Sequence, residues 1–308
     1  MNGEKKLTWL EMSLIAFLIA LFLWWLYPTE VAKTNDIIVV QKKGYNIFPS
    51  ISIEAKSAYV LEVRTGKILF EKEPELQWPL ASLTKLMVAF TASKLVPDYM
   101  LVRITSDDVG EEGDTGLFPG EEWNIKKLID YSLVVSSNDG IRAIASIAGS
   151  QIASLSATTS VDALFVERMN ILAREIGLTE TYFLNHSGID VSGTLSGGYG
   201  SAKDVALLTA QILKTNSHIL EATAFSKINI GSKNKIHDAV NTNKSLEKIP
   251  NVLASKTGYT ELSGGNVMLA FNTGLDQPII ISILGSSYEG RFNDLNTIVK
   301  ATLEYFAK

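Results

Sequence analysis

The most apolar part of the chain is its N-terminal segment, which carries no charge over residues 12–27 (MSLIAFLIALFLWWLY). A transmembrane α-helix needs about 20 apolar residues, and the run reaches that length when it is extended back to Leu7. Lys5 and Lys6 precede it, and basic residues favour the cytoplasmic side of a membrane. The pattern predicts an uncleaved single-pass anchor, with everything after Pro28 on the extracytoplasmic side of the cell membrane.

Changes in polarity divide the rest of the chain. Residues 1–28 are predicted to be the cytoplasmic tail and the transmembrane signal-anchor, residues 29–46 a polar stalk, and residues 47–308 one folded domain. A cleaved signal peptide is the alternative for the first part. Cleavage after Ala32 would require a small residue at the third position before the cleaved bond, and that position is Glu30.

Apolar runs predict β-strands at both ends of the folded domain. AYVLEV (58–63) and KILFEK (67–72) predict a hairpin, and VLASKTG, GGNVMLAF and PIIISILG predict three strands before a helix over 293–306. Between these ends, apolar residues recur at helical spacing over 161–176, and a serine cap precedes a helix over 205–213. This order indicates an α/β sandwich in which both chain ends share one antiparallel sheet.

Composition narrows the possible chemistry. Lysine and arginine number 28 against 33 aspartate and glutamate residues, so the net charge of −5 argues against nucleic acid as a partner. Cysteine is absent, which excludes disulfides and thiolate catalysis. The three histidines, His186, His218 and His237, show no metal-ligand spacing and are predicted to be surface or loop residues. We expect neither a metal nor a cofactor.

A serine and a lysine stand three positions apart in PLASLTKLMVAF, as Ser82 and Lys85. The apolar residues between and after them predict a helix with one apolar face, and residues three apart on a helix are neighbours. A lysine that is neutral part of the time can take a serine proton, and burial promotes the neutral form. Taken alone, the pair is more typical of a serine N-cap followed by a solvent-exposed lysine.

Two further short patterns follow at a distance. Ser136 and Asn138 form an SxN triplet in SSND, and Lys256, Thr257 and Gly258 form a KTG triplet after the predicted strand VLAS. Each alone is typical of a turn or of an edge strand with a protective lysine. Together, in the order SxxK, SxN and KTG, they match the motif set of class A β-lactamases and penicillin-binding proteins, in which the middle motif is SDN.

From about Ile53 to its end, the sequence resembles the low-molecular-mass penicillin-binding proteins, the serine D-alanyl-D-alanine carboxypeptidases of peptidase family S11. SAYVLEVRTGKILFEKEPELQWPLASLTKLM is similar to the opening hairpin and nucleophile helix of that family, and NHSGID to its NPSGLD, with His186 in place of proline. Gly140 follows Asn-Asp where alanine is usual. The resemblance implies the penicillin-binding/β-lactamase-like fold, an antiparallel sheet flanked by helices plus a helical subdomain.

The resemblance also implies roles for the motif residues. Ser82 would attack the D-Ala-D-Ala peptide bond and form an acyl-enzyme, and Lys85 would accept its proton. Ser136 would relay a proton to the leaving D-alanine, Asn138 would hold the substrate amide, and Lys256 would hold Ser136 in place.

Further residues are implied at the substrate-binding strand. Thr257 would bind the terminal carboxylate of the substrate, assisted by Arg291 in SSYEGRF. The backbone N–H groups of Ser82 and Tyr259 would form an oxyanion hole, and the strand that contains Gly258 would pair with the extended peptide.

The implied function is that of a membrane-anchored carboxypeptidase that trims peptidoglycan pentapeptides ending in D-Ala-D-Ala, with β-lactams as inhibitors. Two alternatives stay open: a class A β-lactamase-like hydrolase, for which Glu180 is the nearest analogue of the required glutamate, and a non-catalytic sensor of peptidoglycan or β-lactams. Carboxypeptidase or endopeptidase preference, stem-peptide composition and oligomeric state are not determined by these motifs. We expect the C-terminal β-rich domain of many relatives to be missing.

Overall fold

The computed structural model describes residues 48–113, 116–153 and 160–307, and in the N-terminal segment residues 9–10, 13–14, 17–18 and 22. The predicted stalk, residues 29–46, lies outside these residues, and so does most of the predicted anchor. Among the described residues, no helix is both long enough and apolar enough to cross a bilayer. The chain divides into two compact units, and the second, Gly44–Lys308, contains the elements given below.

The described part of this unit contains twelve strands and six α-helices. The strands are β1 Ser57–Glu62, β2 Lys67–Lys72, β3 Trp78–Pro79, β4 Leu101–Arg103, β5 Glu122–Asn124, β6 Tyr182–Phe183, β7 Gly198–Gly200, β8 Lys227–Gly231, β9 Ile236–Val240, β10 Val252–Thr260, β11 Gly264–Asn272 and β12 Pro278–Ser286. The helices are α1 Thr84–Leu95, α2 Ile125–Val135, α3 Asn138–Ser150, α4 Val161–Glu175, α5 Ala202–Asn216 and α6 Gly290–Phe306.

Five strands form the main antiparallel sheet, in the order β10-β11-β12-β1-β2. The predicted hairpin is present as β1 and β2, and the three predicted C-terminal strands are β10, β11 and β12. Strand β1 pairs with β12, with Ala58 opposite Ile283, so both ends of the unit meet in one sheet. The predicted sandwich, with the terminal strands in a shared antiparallel sheet, is confirmed.

The sheet is buried on both faces because helices cover each side. In β12, Ile279, Ile281 and Ile283 belong to a core that includes residues of α6, whereas Ile280 and Leu284 belong to the core formed with the other helices. Successive side chains of a strand point to opposite faces. Two buried faces therefore explain why this strand is a continuous apolar run rather than an alternating one.

Helix α1 lies in the centre of the helical part and packs against α3, α4 and α5. Every residue from Thr84 to Ala92 is buried, including Lys85. The predicted apolar face, formed by Leu83, Leu86, Met87 and Phe90, is buried, and the small and polar residues of the helix up to Ala92 are buried as well. The helix that begins directly after Ser82 is consequently inaccessible to solvent for most of its length.

Candidate active site

Ser82 lies in a short 3₁₀ turn, Ala81–Leu83, that continues directly into α1. Ala81 adopts a φ of +48°, a left-handed conformation that is uncommon for residues other than glycine. The backbone before the turn is held by Asn266, whose Nδ2 donates to the carbonyl oxygen of Pro79 (2.9 Å). The turn thus places Ser82 at the positive end of a buried helix, where a developing oxyanion is stabilised.

Lys85 is fully buried next to this serine. Its Nζ donates to Ser82 Oγ (2.9 Å) and to the backbone carbonyl oxygen of Ser187 (2.8 Å). Burial lowers the pKa of Lys85 to about 7, and the carboxylate of Glu111 opposes this shift only in part. Near neutral pH, a large fraction of the molecules therefore carries an uncharged amine that can accept the Ser82 proton.

A second serine–lysine pair comes from two distant segments. Ser136 ends α2 in the left-handed conformation, with a φ of 63°, and Ser137 begins α3 by accepting a hydrogen bond from the Gly140 N–H (2.9 Å). Lys256 of β10 donates from Nζ to Ser136 Oγ (2.8 Å) and to the carbonyl oxygen of Thr257 (2.8 Å). The sharp turn between the two helices directs Ser136 towards β10.

Three basic side chains near these hydroxyls, Lys85, Lys256 and Arg291, are buried. Burial lowers the pKa of Lys256 well below its ordinary value, and the charges of Lys85 and Arg291 lower it further. Within the described ranges, none of them forms an ion pair with a carboxylate. Uncompensated positive charge of this kind attracts an anionic ligand.

Strand β10 passes very close to the serine turn at Gly258. A Cβ at this position would lie 2.9 Å from the carbonyl oxygen of Leu80 and 3.1 Å from the backbone nitrogen of Ser82, so the approach requires glycine. Arg291, in the first turn of α6, donates from Nη1 to the Gly258 carbonyl oxygen (2.7 Å). The Arg291 guanidinium also lies 4.5 Å from the ring centre of Tyr288, which holds it in a fixed orientation.

Part of the predicted site lines a cleft of about 500 Å³. Ser82, Asn138 and the half-exposed Tyr259 line it directly. Asn138 donates from Nδ2 to the Glu112 carbonyl oxygen (2.5 Å), and its Oδ1 is buried with no hydrogen-bond partner in the described structure. A buried acceptor without a partner suits a ligand that brings an N–H group. The remaining predicted residues are buried or partly buried: Lys85, Ser136, Lys256, Thr257, Gly258 and Arg291.

The loop over residues 185–190 is a part of the site that sequence reasoning did not assign. Its Ser187 supplies the carbonyl oxygen that binds Lys85, and its Asp190 accepts a hydrogen bond from Thr260 Oγ1 at the end of β10 (3.0 Å). The NHSGID pattern signals that the segment belongs to the family, but a backbone carbonyl has no sequence signature. The loop links the lysine of the first motif to the strand of the third.

The prediction that all three histidines are surface or loop residues is wrong for His237. This residue lies in β9 and is only 7% exposed. Its Nε2 is 2.9 Å from Glu121 Oε2, which also accepts a hydrogen bond from Trp123 Nε1 (3.0 Å). A buried imidazole needs a polar partner, and here that partner comes from a segment far away in the sequence.

Comparison with known proteins agrees with this geometry. Residues 44–287 match the family model of D-alanyl-D-alanine carboxypeptidase, peptidase S11. D-alanyl-D-alanine carboxypeptidase DacF of Bacillus subtilis (strain 168) is 32% identical over 215 residues, which are 67% of this chain and 51% of that protein. The chain therefore corresponds to about half the length of that relative. DacB2 of Mycobacterium tuberculosis is 26% identical over 77% of each chain.

Among solved structures, penicillin-binding protein D2 from Listeria monocytogenes, in its ampicillin-bound form, is 25% identical and has a TM-score of 0.67. The similarity covers 83% of this chain and 98% of that one. This likeness confirms the penicillin-binding fold that the motifs predict. Since the family model matches most of the chain, the protein belongs to the D-alanyl-D-alanine carboxypeptidases of peptidase family S11.

Proposed function

We propose that this protein is a serine D-alanyl-D-alanine carboxypeptidase that trims peptidoglycan stem peptides through an acyl-enzyme on Ser82. The observation that carries the proposal is the presence of two hydrogen-bonded serine–lysine pairs, Ser82 with Lys85 and Ser136 with Lys256, with Ser82 lining the cleft. Both lysines are buried, which supplies a base without histidine or metal.

In the acylation step, Ser82 Oγ attacks the carbonyl carbon of the penultimate D-alanine and its proton passes to Lys85 Nζ. The tetrahedral oxyanion is bound by the N–H groups of Ser82 and Tyr259. As the C–N bond breaks, the D-alanine nitrogen receives a proton from the Ser136 hydroxyl, which Lys85 replenishes, and Lys256 keeps Ser136 oriented. Lys85 is then neutral again beside the Ser82 ester.

In the deacylation step, a water molecule gives a proton to Lys85 and its oxygen attacks the ester carbonyl carbon. The C–O bond to Ser82 breaks, and the serine oxygen takes back the proton from Lys85. The products are D-alanine and a peptide that is one residue shorter. One buried amine with a pKa of about 7 serves both half-reactions because it can release a proton as readily as it accepts one.

The substrate is oriented by groups on both sides of Ser82. The partnerless Oδ1 of Asn138 accepts a hydrogen bond from a peptide N–H of the acyl donor. Strand β10 pairs with the extended peptide. The terminal carboxylate lies at Thr257, in the field of Lys256 and Arg291, which have no carboxylate partner of their own among the described residues.

A β-lactam presents a strained amide carbonyl in place of the peptide bond, so it acylates Ser82, and the opened ring stays attached. The Listeria monocytogenes relative binds ampicillin, which supports β-lactams as inhibitors here. The alternative of a class A β-lactamase has less support, because Glu180 does not line the cleft and its backbone N–H donates to Asp204 (2.8 Å).

The test is to incubate the full-length protein with penicillin and with a pentapeptide that ends in D-Ala-D-Ala. We expect release of D-alanine and a covalent penicillin adduct by mass spectrometry, and both should disappear in Ser82→Ala. Ser93→Ala, which removes a hydroxyl from the same helix, should leave both unchanged. Rapid lactam hydrolysis without D-alanine release would support the β-lactamase alternative, and an adduct without any turnover would support a sensor.

The uncharged segment over residues 12–27 is proposed to anchor this enzyme in the cell membrane, with the folded domain on the extracytoplasmic side. Its length, the preceding Lys5 and Lys6, and the extracytoplasmic location of peptidoglycan support this arrangement.

The test of the anchor is the double substitution Leu14→Arg and Leu18→Arg. Each arginine should make the free energy of membrane insertion less favourable by about 2.5–3.5 kcal/mol at the centre of a membrane helix. The doubly substituted protein should leave the membrane pellet after an alkaline wash, whereas isoleucine at both positions should not release it. Release of the wild-type protein into the supernatant by the same wash would contradict the proposed membrane anchor.

A further inference from the structure

A short loop before β10, residues 241–245, is held rigidly by two buried asparagines. Asn241 and Asn243 are 8% and 1% exposed. Asn241 donates from Nδ2 to the Thr223 carbonyl oxygen (3.0 Å), and its Oδ1 accepts a hydrogen bond from the Asn243 N–H (2.9 Å). Buried amide side chains that are satisfied in this way fix a backbone, so the residue between them, Thr242, has little freedom to move.

Thr242 is placed between the second and third motifs by further hydrogen bonds. Its N–H donates to the carbonyl oxygen of Val134 (3.3 Å), two residues before Ser136. Asn243 donates from Nδ2 to the Ser255 hydroxyl (2.7 Å), immediately before the KTG triplet of β10. The loop therefore connects the end of α2 to the start of the substrate-binding strand.

The hydroxyl of Thr242 faces the hydroxyl of Thr257, with 2.6 Å between the two oxygens. Each hydroxyl has one proton to donate and two lone pairs to accept with. If Thr257 donates its proton to Thr242, the proton is not available to a ligand. Thr257 can donate to a ligand carboxylate and stay fully hydrogen-bonded only when Thr242 donates to the Thr257 oxygen.

The surroundings of this hydroxyl pair favour an anion on the Thr257 side. Lys256 donates from Nζ to the Thr257 carbonyl oxygen (2.8 Å), and Arg291 donates to the next carbonyl oxygen along the strand, that of Gly258 (2.7 Å). Two buried basic side chains thus lie beside the same short piece of backbone. A carboxylate in this field would attract the Thr257 proton, and the Thr257 oxygen would then be free to accept the Thr242 proton.

We propose that Thr242 is a positioning residue for the terminal carboxylate of the acyl donor: it donates to the Thr257 oxygen and so directs the Thr257 proton at the carboxylate. The inference rests on the proposed function, because that function supplies the carboxylate. A chain of two hydroxyls polarises along its length, and this strengthens the terminal hydrogen bond to a charged group. The contact is present in the bound substrate and in the transition state alike, so it should act on KM rather than on kcat.

The test compares Thr242→Val and Thr242→Ser in the full-length chain with two peptides, one ending in D-Ala-D-Ala and one ending in D-Ala-D-alaninamide. Valine keeps the shape of threonine and removes the hydroxyl. We expect Thr242→Val to raise KM for the carboxylate peptide about tenfold, with kcat within about twofold, and to leave the amide peptide unaffected. Thr242→Ser should restore the wild-type KM. Thr297→Val, the same change on the exposed face of α6, should alter neither peptide.

Binding without turnover separates this inference from the proposed function. In the Ser82→Ala background, calorimetry with both peptides should show that Thr242→Val weakens only the carboxylate peptide. If the wild type releases no D-alanine, the proposed function fails, and this binding comparison still decides the role of Thr242. Equal losses for the two peptides, a fall in kcat with an unchanged KM, or no effect of Thr242→Val would each overturn the inference.

Discussion

A Lys85→Met variant should form the penicillin adduct on Ser82 about a thousand times more slowly than the wild type, because general-base catalysis typically contributes about 10²- to 10⁴-fold. Lys85 Nζ is within hydrogen-bond distance of the Ser82 hydroxyl, at 2.9 Å. Methionine fills a similar volume without a proton acceptor of useful strength. The rate of adduct formation, followed by mass spectrometry, measures the loss directly.

The same variant should be more stable than the wild type at pH 7. Burial lowers the pKa of Lys85 from 10.5 to about 7 in the folded protein, whereas the unfolded chain keeps the ordinary value. Between these two pH values the unfolded chain binds more protons, so the stability of the wild type rises as the pH increases from about 7 to 10.5. Methionine removes the cost of burying the charge, although the bond to the Ser187 carbonyl is also lost. The stability advantage should therefore shrink towards pH 10 in denaturant titrations.

Lys94→Met provides the matched control for this pair of measurements. Lys94 is an exposed residue in the last turn of the same helix, so its replacement should change neither the acylation rate nor the pH dependence of stability. Acylation of Lys85→Met at a rate within tenfold of the wild type would show that another group is the base.

Gly188→Ala should lower D-alanine release by about 100-fold or more and destabilise the protein by more than about 1 kcal/mol. Gly188 has a φ of +80°, and a Cβ there would overlap the carbonyl oxygen of Ala81 and lie 2.7 Å from Thr84 Oγ1. Ala81 lies in the nucleophile turn and Thr84 begins the buried helix α1, so neither can give way easily. We therefore expect the loop over residues 185–190 to move. That movement takes the Ser187 carbonyl away from Lys85 and disturbs the base.

Gly177→Ala separates this clash from backbone strain. Gly177 has nearly the same φ, +78°, but a Cβ there would meet nothing within 4 Å. Its replacement should cost stability through the left-handed conformation alone, and it should leave D-alanine release unchanged. Unfolding free energies and initial rates of both variants provide the comparison. Equal activities for the two variants would mean that the approach of Gly188 to the nucleophile turn is unimportant.

The elements predicted best are those whose burial follows directly from the pattern of their own residues. The strands that became β1, β2 and β10 to β12 are apolar runs bounded by turn residues, and their predicted limits agree with the structure to within about two residues. The serine cap before α5 is present as well, because Ser201 Oγ accepts a hydrogen bond from the Asp204 N–H (3.1 Å). Local chemistry was sufficient for these features.

Helix α3 and the hairpin of β8 and β9 are among the elements that were not predicted. Helix α3 is rich in small residues and begins in a segment, SSND, that is typical of a turn. Its Gly140 packs so closely on α2 that a Cβ would lie 3.2 Å from Ser137 Oγ and would overlap Ser132 Oγ. Close helix contact through small residues leaves little hydrophobic periodicity to recognise. The hairpin of β8 and β9 was missed because its strands are short and largely exposed.

The sequence by itself determined which reactive groups this chain possesses, their order along it, and the family to which they belong. Only the tertiary structure decided that Ser136 and Lys256 are hydrogen-bonded, that a carbonyl of the NHSGID loop binds Lys85, and that Thr242 meets Thr257. The physical reason is that an amine changes its pKa through the solvent it loses and the charges it approaches. Both of these are set by segments far apart in the chain, which no local pattern records.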